Sequence, residues 1–192
     1  MKTTYIVAAL LSLLFTSAYL KTNDDNLTTN SSLMIFNFAP DVDASSWFIL
    51  NDGVMGGVSE STFHLNEDGF GLFAGGISTA NNGGFASVRY RPASIDPNGK
   101  KTVRLKIKGD GKSYQFRVKK NISDYESYIT TFQTSGDWET IEINLNDLYP
   151  SFRGRKLQQA NYDASSLGEI CFLIANKRNE TFELLIDEIS IQ

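Results

Sequence analysis

Lys101-Thr102-Val103-Arg104-Leu105-Lys106-Ile107-Lys108-Gly109-Asp110-Gly111-Lys112-Ser113-Tyr114-Gln115-Phe116-Arg117-Val118-Lys119 carries the pattern from which the fold is read. Apolar residues take every second position on both sides of Gly109-Asp110-Gly111. A period of two sends successive side chains to opposite faces, so each side reads as a strand with one face buried. An Asp-Gly core suits a tight turn, and residues 106–114 are expected to form a hairpin. Arg104, Lys106 and Lys108 then share a face, read as the solvated outside of a sheet, with a patch for an acidic partner as the alternative.

The same pattern recurs along the chain. Short runs rich in Val, Ile, Phe, Tyr or Thr occupy 33–38, 47–50, 61–65, 69–77, 86–90, 125–133, 139–144, 168–174 and 182–191. Turn signals bound them, among them Glu67-Asp68-Gly69, Asp96-Pro97-Asn98-Gly99 and Thr134-Ser135-Gly136. Long helical periodicity is missing, and only 146–149 and 163–167 read as single helical turns. Many strands at roughly ten-residue spacing predict an all-β sandwich or barrel. No internal repeat or second domain is visible.

Two glycine-rich stretches are joined directly to these strands: Asn51-Asp52-Gly53-Val54-Met55-Gly56-Gly57-Val58-Ser59 and Asn81-Asn82-Gly83-Gly84-Phe85-Ala86-Ser87-Val88-Arg89. Neither has the Gly-Lys-Ser/Thr ending of a phosphate-binding loop or the glycine spacing of a dinucleotide site. Loops at one end of a sandwich are where binding usually resides. Asn51, Asp52, Asn81 and Asn82 offer donors and acceptors, Trp47 and Phe85 aromatic surface, and Arg89 a planar fork. Met55, Gly56, Gly57, Ser59, Gly83 and Gly84 complete that surface. The mixture suits a neutral polyhydroxylated ligand or a protein loop. A purely structural role stays open: Asp and Asn cap turns, Trp47 and Phe85 pack in the core, and Asp52 pairs with Arg89. A further candidate is the loop 149–155, whose Arg153 and Arg155 suit an acidic or carboxylate-bearing partner.

The run from Trp47 to Ser59 resembles the signature of the thirty-kilodalton complex I intermediate-associated protein family. Asn81-Asn82-Gly83-Gly84-Phe85-Ala86-Ser87 with Arg89 is similar to a second element of that family. Gly136-Asp137-Trp138-Glu139-Thr140-Ile141, Phe152-Arg153-Gly154-Arg155 and Phe182-Glu183-Leu184-Leu185-Ile186-Asp187-Glu188-Ile189 resemble its later blocks. The resemblance spans about 35–192 and implies a galactose-binding-like jelly roll. It also implies a non-catalytic role in assembly or chaperone-like binding, with respiratory complex I intermediates as partners. The alternative is an extracellular or periplasmic carbohydrate-binding module that uses the same loops for a glycan. Asp187-Glu188 resembles the ending of carbohydrate-binding jelly rolls in which an acid helps hold calcium, but one such pair falls short of six to eight oxygen ligands.

A net charge of −4 argues against a nucleic-acid partner. One cysteine, Cys171, excludes an internal disulfide, and its apolar setting in 169–174 reads as a buried thiol. With one histidine, His64, on the outward side of a strand, neither a zinc site nor a histidine-based triad can be assembled from typical ligands. No metal and no cofactor are expected. The 22 acidic residues offer many possible glycosidase pairs, Asp52 with Glu60 among them, and no motif singles one out.

Residues 1–20 read as a secretory signal. Lys2 supplies the positive start, 6–15 the apolar centre and Thr16-Ser17-Ala18 a small-residue cleavage site. A mitochondrial presequence is arginine-rich, and this segment holds no arginine. Export to the periplasm or the exterior is expected, with membrane contact at most through a partner. Residues 21–32 read as a polar linker and 33–192 as the domain. Asn26, Asn30, Asn121 and Asn179 stand in N-x-Ser/Thr sequons.

Overall fold

The computed structural model describes residues 31–192, so the leader and nearly all of the linker lie outside the described residues. The strands are β1 (Leu33–Asn37), β2 (Trp47–Ile49), β3 (Glu60–Leu65), β4 (Gly71–Ile77), β5 (Ala86–Tyr90), β6 (Thr102–Lys108) and β7 (Ser113–Lys119). They continue as β8 (Ser127–Gln133), β9 (Trp138–Asn144), β10 (Tyr149–Phe152), β11 (Arg155–Lys156), β12 (Glu169–Ile174) and β13 (Glu180–Ile191). Two antiparallel sheets result. One runs β3-β4-β13-β6-β9, with β1 beside the end of β13; the other runs β11-β10-β8-β7-β12-β5-β2.

The period-two residues meet between the sheets. Val103, Leu105 and Ile107 of β6 are fully buried, as are Tyr114 and Phe116 of β7. Each such side chain contributes roughly 1.5–3 kcal/mol by leaving water. An aromatic cluster closes one end, where Trp47 stacks on Tyr90 at 5.0 Å and on Phe63 at 5.2 Å.

Three local expectations change. Residues 106–114 are no hairpin, because β6 pairs with β13 and β9 while β7 pairs with β12 and β8 in the other sheet. The turn instead bridges the sheets. Asp110 accepts a 3.0 Å hydrogen bond from the Glu183 amide and a 2.9 Å bond from the Tyr114 hydroxyl, which ties the corner to β13 rather than to a ladder. Gly109 packs on Thr134, where a Cβ would come within 2.4 Å of Oγ1. Residues 163–167 form no helical turn. Leu167 pairs with Ile95 across an isolated bridge, and the Tyr162 hydroxyl donates to the Ser166 carbonyl. Finally, 149–155 is a small hairpin, not a loop. Arg153 and Gly154 have φ of 47° and 77°, the positive values that a two-residue type I′ turn requires. Among the described residues no helix is long and apolar enough to cross a membrane.

Candidate functional site

Asp52 joins the two glycine-rich loops. Its carboxylate is buried and accepts from the Ser59 amide (2.9 Å), the Ser59 hydroxyl (2.5 Å), the Gly84 amide (2.6 Å) and the Phe85 amide (3.2 Å). Burial by itself would raise its pKa, but these bonds outweigh burial and hold the carboxyl below its ordinary value. Glycine is required on both sides. A Cβ on Gly57 would sit 2.3 Å from Asp52 Cγ, and one on Gly83 2.6 Å from Oδ2. Asp52 does not pair with Arg89. Arg89 reaches Glu169 at 2.8 Å, and Arg91 takes the other oxygen of that buried carboxylate at 2.7 Å.

The hub holds one bank of a groove of about 600 Å³ on the outer face of the seven-stranded sheet. Its floor comes from β5, β12, β7 and β8, with Gln115, Arg117, Lys119 and Ser127 among the lining side chains. In register across the sheet, Arg89 lies opposite Cys171 and Cys171 opposite Arg117. β12 is buried on both faces: Ile170, Phe172 and Ile174 face the core, while Glu169, Cys171 and Leu173 lie under the groove. Burial pushes the Cys171 thiol pKa up. The far bank carries an edge-to-face aromatic pair, Tyr125 and Phe152 at 5.4 Å, with the Arg153 guanidinium over the Phe152 ring at 5.3 Å.

Arg117 is half-buried on this floor. Its Nε and Nη2 both donate to Gln115 Oε1, at 3.0 and 2.5 Å. Among the described residues it makes no ion pair and its remaining N–H groups have no protein acceptor. Burial, with the charge of Arg89 adding to it, lowers its pKa from the ordinary guanidinium value; the group stays charged.

The candidate residues from the sequence therefore divide. Met55, from the first loop, and Asn82, Gly83, Gly84 and Phe85, from the second, line the groove. Arg89 and Arg153 line it too. The others do not. Trp47 is core rather than platform, at 6% exposure inside the aromatic cluster. Asp52, Gly57 and Ser59 form the hub behind the bank, and Gly56 ends the 3-10 turn Asp52–Met55 with φ 86°. Asn51 accepts from the Ser61 hydroxyl at 2.8 Å and lines a separate, shallower hollow of about 610 Å³ over β3 and β4. Asn81 is exposed on the 3-10 turn Ala80–Asn82, with φ 54°, and Arg155 lies exposed on β11.

Gln115, Arg117, Lys119 and Lys177 were missed as site residues, and Tyr125, whose imperfect alternation with Tyr128 and Phe132 reads as core or edge packing rather than a sugar platform, is exposed on the far bank. One signal for them was present: Ile170-Cys171-Phe172-Leu173-Ile174 is apolar at odd and even positions alike. Such a strand is covered on both sides, so the sheet over it cannot be a plain solvated surface.

The two antiparallel sheets make the described residues an all-β jelly-roll sandwich. Similar solved structures include the family 11 carbohydrate-binding module of cellulosomal cellulase Lic26A-Cel5E of Clostridium thermocellum. That match has TM-score 0.63 and 16% identity and covers 84% of this chain and 94% of that one. The family 11 module from Clostridium thermocellum in complex with a β-1,3-1,4-mixed-linked tetrasaccharide matches with TM-score 0.61, 17% identity and coverage of 83% and 94%. An agarase, AgWH50C, matches with TM-score 0.57 and 14% identity over 84% of this chain and 24% of that chain. At these identities the likeness is one of fold. By sequence the chain belongs to the complex I intermediate-associated protein 30 family, whose model matches residues 36–186. No curated protein matches it.

Proposed function

We propose that this chain is a non-catalytic binding domain that holds a glycan along the groove of the seven-stranded sheet. The observation that carries this reading is the floor itself, built from side chains of strands paired on both sides. β5, β12, β7 and β8 each have two neighbours, so no free edge lies in the groove for a peptide to extend as an added strand. Recognition there falls to side chains. Gln115, Ser127 and Asn82 can exchange hydrogen bonds with hydroxyls, and Tyr125, 56% exposed, gives a sugar ring an apolar face. No Asp or Glu lines the groove, whereas glycoside hydrolysis uses a pair of them, which favours holding over cleaving. The secretory reading of residues 1–20 suits such a ligand, and export is part of the proposal.

A second reading, a protein partner in an assembly role, is favoured by family membership and by one surface. Val54, Met55 and Val58 stand 66%, 64% and 52% exposed on the first loop, an apolar tip beside the groove. Calorimetric titration of the purified chain with a panel of oligosaccharides separates the two. Glycan binding that weakens at least about fivefold in Tyr125→Ala, as expected for loss of an aromatic contact, supports the glycan reading. No glycan binding, together with a membrane protein that co-purifies with the chain and is lost in Met55→Asp, puts the assembly role in its place.

A further inference from the structure

The loop residues in the sequence suit a neutral polyhydroxylated ligand or a protein loop; the groove carries a charge that a neutral ligand would not use. Arg89, Arg117, Lys119, Arg153 and Lys177 all line it, without an acidic side chain among the lining residues. This concentration occurs on a chain whose net charge is −4. Glu169 lies beneath the floor and is shared by Arg89 and Arg91, so one negative charge meets two positive ones there. Lys119 donates to the Asp124 carbonyl at 2.5 Å, which satisfies a donor without cancelling the charge. The outer face of the other sheet behaves differently. There Arg104 meets Glu142 at 3.2 Å and Lys106 meets Asp187 at 2.6 Å.

Arg117 is the centre of the difference. A half-buried cation without a counter-ion is costly, because burial weakens its hydration and no carboxylate repays that loss. Gln115 satisfies two of five N–H donors and fixes the plane of the guanidinium. The remaining donors are presented as a fork of the kind that matches a carboxylate or sulfate in two parallel bonds. Arg89 stands two strands away in the same row, a separation of about 9.6 Å at ordinary strand spacing. Arg153 stands at the tip of its hairpin above the far bank. Basic groups are thus spread along the groove instead of being gathered at one point, as a linear polymer with repeated charges requires.

We infer that the ligand of this groove is an acidic polysaccharide, bearing carboxylate or sulfate groups along its length, and that Arg117 anchors one of those groups. The inference rests on the glycan reading above and names its chemical class.

The full chain is titrated with oligogalacturonate, a sulfated galactan oligosaccharide, a neutral β-glucan oligosaccharide and poly-glutamate, each at low and at high salt. Binding of the galacturonate or the sulfated oligosaccharide is expected to exceed that of the neutral glucan and to fall with salt. It should weaken about tenfold or more in Arg117→Gln, as for a lost charge-assisted hydrogen bond, and less in Arg117→Lys, which keeps charge without the fork. Thermal melts establish that the variants fold. Should Arg117→Gln fail to fold, Arg153→Asn serves instead, since asparagine tolerates the left-handed backbone there; weaker binding to the acidic oligosaccharide is again expected. Neutral glucan bound as tightly as the acidic sugars, unaffected by salt and Arg117→Gln, overturns the charge inference and leaves the glycan reading standing. Binding of poly-glutamate alone, or of no probe, overturns both.

Discussion

Asp52 shows how a single carboxylate can hold two distant loops in register. Four donors converge on it, and two glycines are glycine because any Cβ there would occupy its space. Asp52→Ala leaves those donors unpaired in a buried place and is expected to cost roughly 3 kcal/mol, read from urea unfolding. Gly57→Ala drives a methyl into the carboxylate and is expected to cost about 1–3 kcal/mol in the same assay. The pH dependence has a definite sign. The folded pKa of Asp52 lies below 3.8, so its stabilisation is complete above 3.8 and is lost as pH falls through the folded value. Asp163, held at about 2 by the Lys120 side chain, acts in the same direction. The melting temperature should therefore fall below about pH 4, and by less in Asp52→Asn. Sequence identified Asp52 as a special position without its role, since two of its four donors are backbone amides of a loop 32 and 33 residues away. The Arg89 partner, Glu169, is 80 residues away, beyond any local pattern.

Among the elements, period-two alternation was enough to find eleven of the strands to within a few residues, because burial on one face is written directly into residue type. What it did not encode is which sheet a strand joins. The Gly109-Asp110-Gly111 corner has the composition of a hairpin turn and serves as a crossover, because Asp110 finds its partners on β13 and at Tyr114. Tyr114 is buried, and burial first and then Asp110 hold its hydroxyl protonated far above the ordinary range. Tyr114→Phe removes the hydroxyl while keeping the ring, and is expected to cost about 1 kcal/mol of unfolding free energy. The hairpin of β10 and β11 escaped notice because Pro150 and Gly154 usually end strands, whereas here glycine makes the turn itself. β12 carries a chemical readout. Cys171 lies 2% exposed beneath the groove with its pKa raised, so a thiol reagent should leave the folded chain unmodified and label one site after unfolding.

The molecule as a whole places its two glycine-rich loops on the rim of a sheet whose outer face is a basic, polar and partly aromatic groove. Little more than a third of that candidate site could be read in sequence: seven of its nineteen lining residues. The loop residues were visible because glycine pairs and Asn-Asn are unusual next to strands. Arg117 was not, because Gln115, Arg117 and Lys119 alternate with Tyr114, Phe116 and Val118 just as any solvated face does. Only the pairing of β7 beside β12, with Arg89 one strand further, turns that stripe into a floor. The most direct measurement is an amide-resolved NMR titration of the labelled chain with an acidic oligosaccharide. Shifts concentrated on Phe85, Arg89, Gln115, Arg117 and Ser127 would establish the groove as the binding face. Shifts confined to the outer face of the β3-β4-β13-β6-β9 sheet, or no shifts at a concentration where the sugar is in large excess, would contradict it.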